Sequence, residues 1–94
     1  MTQANPEFSI IIVTHNSNYY LVECIDALIT QRNKNFEVII VDNNSNEDLV
    51  NFDNFNSLNI KIIRLEKNFG FAAANNVGAK RATGKWLITL NPDA

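Results

Sequence analysis

Two carboxylates of the 94-residue chain stand at or just beyond the ends of apolar runs. Asp42 follows Val38 to Val41 and precedes the turn Asn43-Asn44-Ser45, while Asp93 follows Trp86-Leu87-Ile88-Thr89-Leu90 within Asn91-Pro92-Asp93-Ala94. The carboxyl end of a buried strand is where open α/β sheets hold ligands, so both positions are candidate binding residues. A lone Asp93 is sufficient for a divalent ion, because Mg²⁺ takes one or two carboxylates and fills its remaining positions with phosphate oxygens and water. Asn-Pro-Asp also has the composition of a plain turn, and Asp42 also suits a cap on the loop after its strand. Thr14-His15-Asn16 closes the first apolar run, where the ring of His15 is placed to stack on or contact a ligand; a lone histidine is also often structural. The segment Asn68-Phe69-Gly70-Phe71-Ala72-Ala73-Ala74-Asn75-Asn76-Val77-Gly78 combines backbone freedom at Gly70 with small side chains that permit close approach. An alanine-rich helix packed on a sheet explains its alanines but not Asn68, Asn75 and Asn76 together.

Four apolar runs position these residues: Phe8 to Val13, Phe36 to Val41, Ile60 to Leu65 and Trp86 to Leu90. Their β-branched content and weak alternation predict strands buried on both faces, as in a parallel sheet. Leu21, Ile25 and Leu28, with Val22 and Ile29 beside them, predict an amphipathic helix from about Asn18 to Arg32 with Ser17 as its N-cap. Ser45-Asn46-Glu47-Asp48 reads as the start of a second, short helix with acidic residues in its first turn. A third is expected from about Phe71 to Ala82, with Gly84 as a left-handed C′ residue. The alternation of strands and helices makes a three-layer α/β/α, Rossmann-like open sheet the expected architecture, in one domain spanning residues 1–94.

Composition narrows the function. A net charge of −2 at 46% hydrophobic content steers the chain neither to nucleic acid nor to an anionic membrane. No run approaches the roughly 18 apolar residues of a membrane span, and the start carries no secretory signal, so the chain reads as cytoplasmic. The single cysteine, Cys24, has no partner for an internal disulfide and reads as a buried or half-buried thiol. No G-x-G-x-x-G follows the first strand and no Gly-Lys-Ser/Thr occurs, which argues against a dinucleotide-binding domain and a P-loop NTPase. A sugar-phosphate nucleotidyltransferase would want a glycine-rich, basic loop where Thr14-His15-Asn16-Ser17 stands.

In order and at these intervals, the motifs from Phe8 to Ala94 resemble the start of a family 2 inverting glycosyltransferase of GT-A fold, in its rhamnosyltransferase-like branch. Thr14-His15-Asn16 is similar to the family's Thr-Tyr-Asn or Thr-His-Asn signature, and Val41-Asp42-Asn43-Asn44-Ser45 to its Val-Asp-Asn-Xaa-Ser motif. Asn91-Pro92-Asp93 resembles a variant of its metal-binding Asp-X-Asp. The resemblance implies the strand order 3-2-1-4 and a nucleotide-sugar site made of Thr14, His15, Asn16, Asp42, Asn44, Asn68, Gly70, Asn75, Asn76 and Asn91. In it Asp42 would accept the imide N–H of uracil or thymine, and Asp93 would hold Mg²⁺ or Mn²⁺ against the diphosphate. Asn75 stands where many members carry Arg, which removes an ion pair to the nucleotide. The reaction implied is metal-dependent transfer of a sugar from a UDP- or dTDP-sugar to a glycan or lipid-linked acceptor in cell-surface polysaccharide biosynthesis.

The family's catalytic carboxylate and acceptor-binding part normally follow the fourth strand. No catalytic residue is therefore assigned here, and the 94 residues are expected to be inactive alone and to self-associate through the unpaired edge of that strand. An inactive nucleotide-binding module is the alternative reading, and membrane association of a longer protein is compatible with either.

Overall fold

The computed structural model of the protein describes residues 6–46 and 58–91. Its elements run β1 (Phe8–Thr14), α1 (Asn18–Ile29), β2 (Phe36–Asp42), β3 (Asn59–Arg64), α2 (Phe71–Arg81) and β4 (Trp86–Leu90). The strands form one parallel sheet in the order β3-β2-β1-β4. This is the expected three-layer open sheet, and each strand begins and ends within a residue of the apolar run that announced it. The expected helix beginning at Ser45 lies mostly outside the described residues.

Side-chain alternation divides the core between the two faces. On one face Ile10, Ile12, Val38 and Ile40 pack against Leu21 and Ile25 of α1. On the other, Ile11, Val13, Ile39 and Val41 meet Ala74 of α2. Each fully buried Ile or Leu contributes about 1.5 to 3 kcal/mol relative to exposure, so this double layer on β1 and β2 is the main stabilising feature. Helix α2 lies close to the sheet because its facing residues are small. A Cβ placed on Gly78 would stand 2.6 Å from Ile11 Cγ2 and 3.2 Å from Val41 Cγ2.

Burial on both faces holds for β1 and β2 and fails for the other two strands. Strands β3 and β4 are the sheet edges, and Ile62, Trp86, Leu87 and Ile88 on them are exposed. Beside β4, Phe8, Ile10, Leu28, Phe36 and Ile88 line an open, mainly apolar hollow of about 250 Å³ at the amino ends of the strands. Cys24 is half-buried, and burial pushes its thiol pKa up.

Three local expectations are corrected. Helix α1 ends at Ile29 rather than Arg32, because the chain turns there: Thr30 Oγ1 donates to the Ala27 carbonyl, and Asn33 Oδ1 accepts the Asn35 N–H. Ser17 occupies the N-cap position without capping through its side chain, since its hydroxyl donates to the His15 carbonyl at 2.9 Å. Gly84 is not a left-handed C′ residue: α2 ends at Arg81 and Ala82 is already extended, at φ −71° and ψ 139°. Gly84 is required by close approach instead, because a Cβ there would lie 2.5 Å from Ser9 Oγ and 2.7 Å from the Phe8 backbone.

That approach belongs to a polar knot at the amino ends of the strands. Glu37, fully buried in β2, accepts hydrogen bonds on Oε2 from Ser9 Oγ at 2.6 Å, the Thr83 N–H at 2.6 Å and Thr83 Oγ1 at 2.9 Å. Lys61 Nζ of β3 stands 2.8 Å from Oε1, and the Gly84 N–H donates to Ser9 Oγ. One carboxylate thus ties β1, β2, β3 and the turn into β4. Burial alone would raise its pKa, but the Lys61 ammonium and the Ser9 and Thr83 donors outweigh burial and lower it from 4.5 to about 2. The depressed value means the stabilisation is present in full above pH 4.5 and is lost as pH falls toward 2. At about 1.4 kcal/mol per pH unit, this gap is worth about 3 kcal/mol. Urea unfolding of Glu37→Gln at pH 7 should show a loss of about 1 to 3 kcal/mol that closes as pH approaches 2. A deficit independent of pH would refute the ionised role of Glu37.

Candidate functional site

The β1–β2 register pairs Thr14 with Asp42, so the two strands end side by side and their following loops meet. The Asn43 N–H donates to the Thr14 carbonyl at 2.8 Å, extending the ladder by one bond. Asn16 and Asn44 each turn the chain sharply, with φ of 53° and 61°, in the left-handed region that asparagine tolerates. Asn16 also joins the loops: its N–H donates to Ser45 Oγ at 2.9 Å and its Oδ1 accepts the Asn46 N–H at 2.7 Å.

Asp42 is nearly buried, at 7% exposure. Its Oδ1 accepts the Ser45 N–H at 3.0 Å and the Ser45 hydroxyl at 2.6 Å. Both bonds fall on one oxygen, and Oδ2 takes none from the described residues. The carboxylate is therefore held in a fixed rotamer with one oxygen available to a donor.

His15 is exposed, and its Nδ1 lies 2.9 Å from the Asn43 carbonyl oxygen. A carbonyl only accepts, so in the neutral ring the proton sits on Nδ1 and Nε2 is an acceptor. Nε2 faces Asn16 Nδ2 at 3.4 Å.

The third wall is the loop from β3 into α2. Asn68 Oδ1 accepts the Gly70 N–H at 2.9 Å, and Gly70 has φ of 88°, a backbone region in which a side chain would be strained. Helix α2 starts there with no side-chain cap and no acidic residue in its first turn. Asn75 Nδ2 donates back to the Phe71 carbonyl at 3.2 Å, while its Oδ1 is buried without a partner among the described residues; Asn76 is exposed. Thr14 Oγ1 is likewise buried and without a partner among the described residues.

Between these walls is a cleft of about 320 Å³ whose lining includes His15, Asn43, Asn68, Gly70, Phe71 and Asn91. Four of the sequence-predicted residues, His15, Asn68, Gly70 and Asn91, thus share one cavity. Thr14, Asn16, Asp42 and Asn44 belong to the strand ends and loops beside it, and Asn75 and Asn76 lie on α2 outside the lining. Asp93 falls outside the described residues; Asn91, two positions before it, lines the cleft. The described lining contains no Lys or Arg, and no group of three or more His, Cys, Asp or Glu among the described residues could hold a metal ion. No helix among them is long and apolar enough to cross a membrane.

Asn43, Ser45 and Phe71 fall inside segments expected at the site, Asp42 to Ser45 and Asn68 to Gly78, but sequence reasoning assigned none of them a ligand contact of its own. The turn Asn43-Asn44-Ser45 was visible as a turn, but apart from the bonds of Ser45 to Asp42 its partners are 25 to 29 residues away. Nothing in local composition marks those contacts.

The family model described as glycosyl transferase family 2 matches residues 9–94. No curated protein sequence matches the chain. Among solved structures, residues 1–349 of TarS from S. aureus are 34% identical, with a TM-score of 0.84 over 93% of this chain and 27% of that one. The same protein in complex with UDP-GlcNAc matches at 34% identity and a TM-score of 0.83, over 93% and 26% of the two chains. A mannosyltransferase from Pyrobaculum calidifontis, PcManGT, in complex with GDP-Man and Mn²⁺, shares the fold at a TM-score of 0.80 but only 20% identity, over 97% and 28%. The chain therefore spans little more than a quarter of the length of these structures. With its parallel 3-2-1-4 sheet and the match over nearly its whole length, the chain belongs to glycosyl transferase family 2.

Proposed function

We propose that these residues form the donor-binding part of a glycosyltransferase that moves a sugar from a UDP- or dTDP-sugar to a glycan or lipid-linked acceptor in cell-surface polysaccharide biosynthesis, with rhamnose an analogy for the sugar. The observation that carries this reading is Asp42: a nearly buried carboxylate at the carboxyl end of β2, fixed through Oδ1 and open at Oδ2, beside the cleft. Such a group selects a base with an imide N–H, which uracil and thymine have and adenine lacks. The related TarS structure holding UDP-GlcNAc supports a uridine donor.

In this reading His15 flanks the base, presenting a ring face for stacking while its Nε2 accepts from Asn16 Nδ2. Thr14, Asn16 and Asn44 shape the strand ends around the nucleotide. Asn68, Gly70, Asn75, Asn76 and Asn91 line or border the donor. The absence of Lys and Arg from the described lining leaves the diphosphate without a protein countercharge there. That favours a divalent ion, Mg²⁺ or Mn²⁺, at Asp93, which would hold the ion with phosphate oxygens and water. When bound, the ion would stabilise the charge of the departing diphosphate. No residue of this chain is assigned as catalytic base, and the activity proposed is that of the protein as a whole, in the cytoplasm.

The two carboxylates separate in a single set of measurements. Asp42→Ala should weaken UDP or dTDP binding by about 1 to 3 kcal/mol in calorimetry, the cost of a buried donor left unpaired. Asp93→Asn should lower turnover at least about a hundredfold, the scale of losing a principal electrostatic stabiliser. Unchanged UDP affinity in the first variant refutes the base contact; full turnover of the second in excess chelator refutes the metal site.

The exposed edge of β4, with Trp86 at 55% and Leu87 at 52% exposure, supports self-association of the 94 residues in isolation. Sedimentation at high micromolar concentration should show a dimer. A strict monomer would contradict this.

A further inference from the structure

Asn43 makes four hydrogen bonds at the cleft and is 3% exposed. Its side chain uses both functions on the far wall: Nδ2 donates to Asn68 Oδ1 at 2.9 Å, and Oδ1 accepts the Phe69 N–H at 3.0 Å. Its backbone serves the near wall, with the N–H on the Thr14 carbonyl and the carbonyl on His15 Nδ1. The loop it grips is the one that most needs an external hold. Residues 68–70 precede a helix without a side-chain cap, Gly70 is in the left-handed region, and Phe69 and Phe71 are 49% and 47% exposed, so apolar packing does little to fix them. Asn68 Oδ1 receives both Asn43 Nδ2 and the Gly70 N–H, so the Asn43 contact also selects the amide orientation that closes the Asn68–Gly70 turn.

We propose that Asn43 is a positioning residue for the sugar nucleotide: it acts through Asn68 and Phe69, locking the β3–α2 loop at a fixed distance from the base-reading end of β2. This rests on the nucleotide-sugar reading of the cleft. Asp42 and Asn43 are adjacent, so one rigid strand end carries both the carboxylate offered to the base and the clamp that places the opposite wall. The amide is needed chemically, because only a side chain with one donor and one acceptor satisfies Asn68 Oδ1 and the Phe69 N–H together.

The test is a double-mutant cycle on UDP binding by the protein, with Asn43→Ala, Asn68→Ala and the pair. Each single variant should weaken binding at least about fivefold, and the double variant should be no more than about twofold weaker than the worse single one. Penalties that multiply would show that Asn43 does not act through Asn68, and an Asn43→Ala protein with the parental affinity would overturn its role outright. Amide hydrogen exchange without ligand gives an independent reading through milder variants. Asn43→Asp keeps the acceptor for Phe69 but loses the donor, so exchange at Gly70 should quicken at least about tenfold while Ile11 and Ile39 stay protected; Asn68→Asp keeps Oδ1 as acceptor and should leave it unchanged. Equal exchange in both variants would refute the clamp. A parental protein that binds neither UDP nor dTDP refutes the nucleotide reading itself, and this role with it.

Discussion

The parallel pairing of β1 with β2 is the constraint on which everything else rests. Seven consecutive residue pairs, from Phe8↔Phe36 to Thr14↔Asp42, fix the register. A slip of β2 by one residue against β1 would turn its side chains over, moving Val38 and Ile40 off α1 and placing Ile39 and Val41 there instead. Both faces of β2 are buried, so both would have to repack. The same register brings Thr14 level with Asp42, and with it the two polar loops that border the cleft. The position of the site is therefore set by hydrophobic packing in the middle of the sheet, not by the polar residues that form it.

The ends of the sheet use buried polar groups in different ways. At the amino ends, Glu37 is ionised: Ser9 and Thr83 donate to its Oε2, Lys61 is ion-paired with its Oε1, and these contacts draw the edge strands onto the central pair. At the carboxyl ends, the polar groups are tied to one another while bonding capacity stays unused among the described residues at Asp42 Oδ2 and at the buried Thr14 Oγ1 and Asn75 Oδ1. A satisfied network rigidifies, whereas buried acceptors left open carry a desolvation cost that a ligand can relieve. That asymmetry physically separates the supporting end of the sheet from the end that carries the candidate cleft.

Much of the fold was legible in the sequence, because β-branched runs ending in Asn, Asp or Thr mark buried parallel strands directly. The strand order was not legible from pattern; it came from the motif resemblance, and the structure has it. The misreadings share one cause. Ser17, Gly84 and the end of α1 were read by local propensity, while the structure assigns their atoms to nonlocal or irregular partners: the His15 carbonyl, Ser9, and the turn at Thr30 to Asn35. The edges were misread because composition does not say which strands lie at the edge of the sheet. In the candidate site, Asp42 and His15 were legible as polar residues after apolar runs, whereas Asn43 is defined by contacts 25 to 28 residues distant. Glu37, in the midst of a strand, gave no sign that it would be a buried, ion-paired carboxylate.

The central claim is that the cleft at the carboxyl ends of the strands, rather than the apolar hollow at their amino ends, receives a uridine or thymidine nucleotide. Backbone amide shifts of the labelled protein, followed through a titration with UDP and Mg²⁺, test it most directly. The account predicts saturable shifts concentrated at residues 14–16, 42–46, 68–71 and at Asn91. Shifts centred instead on Phe8, Leu28, Phe36 and Ile88, or none at millimolar UDP, would contradict it.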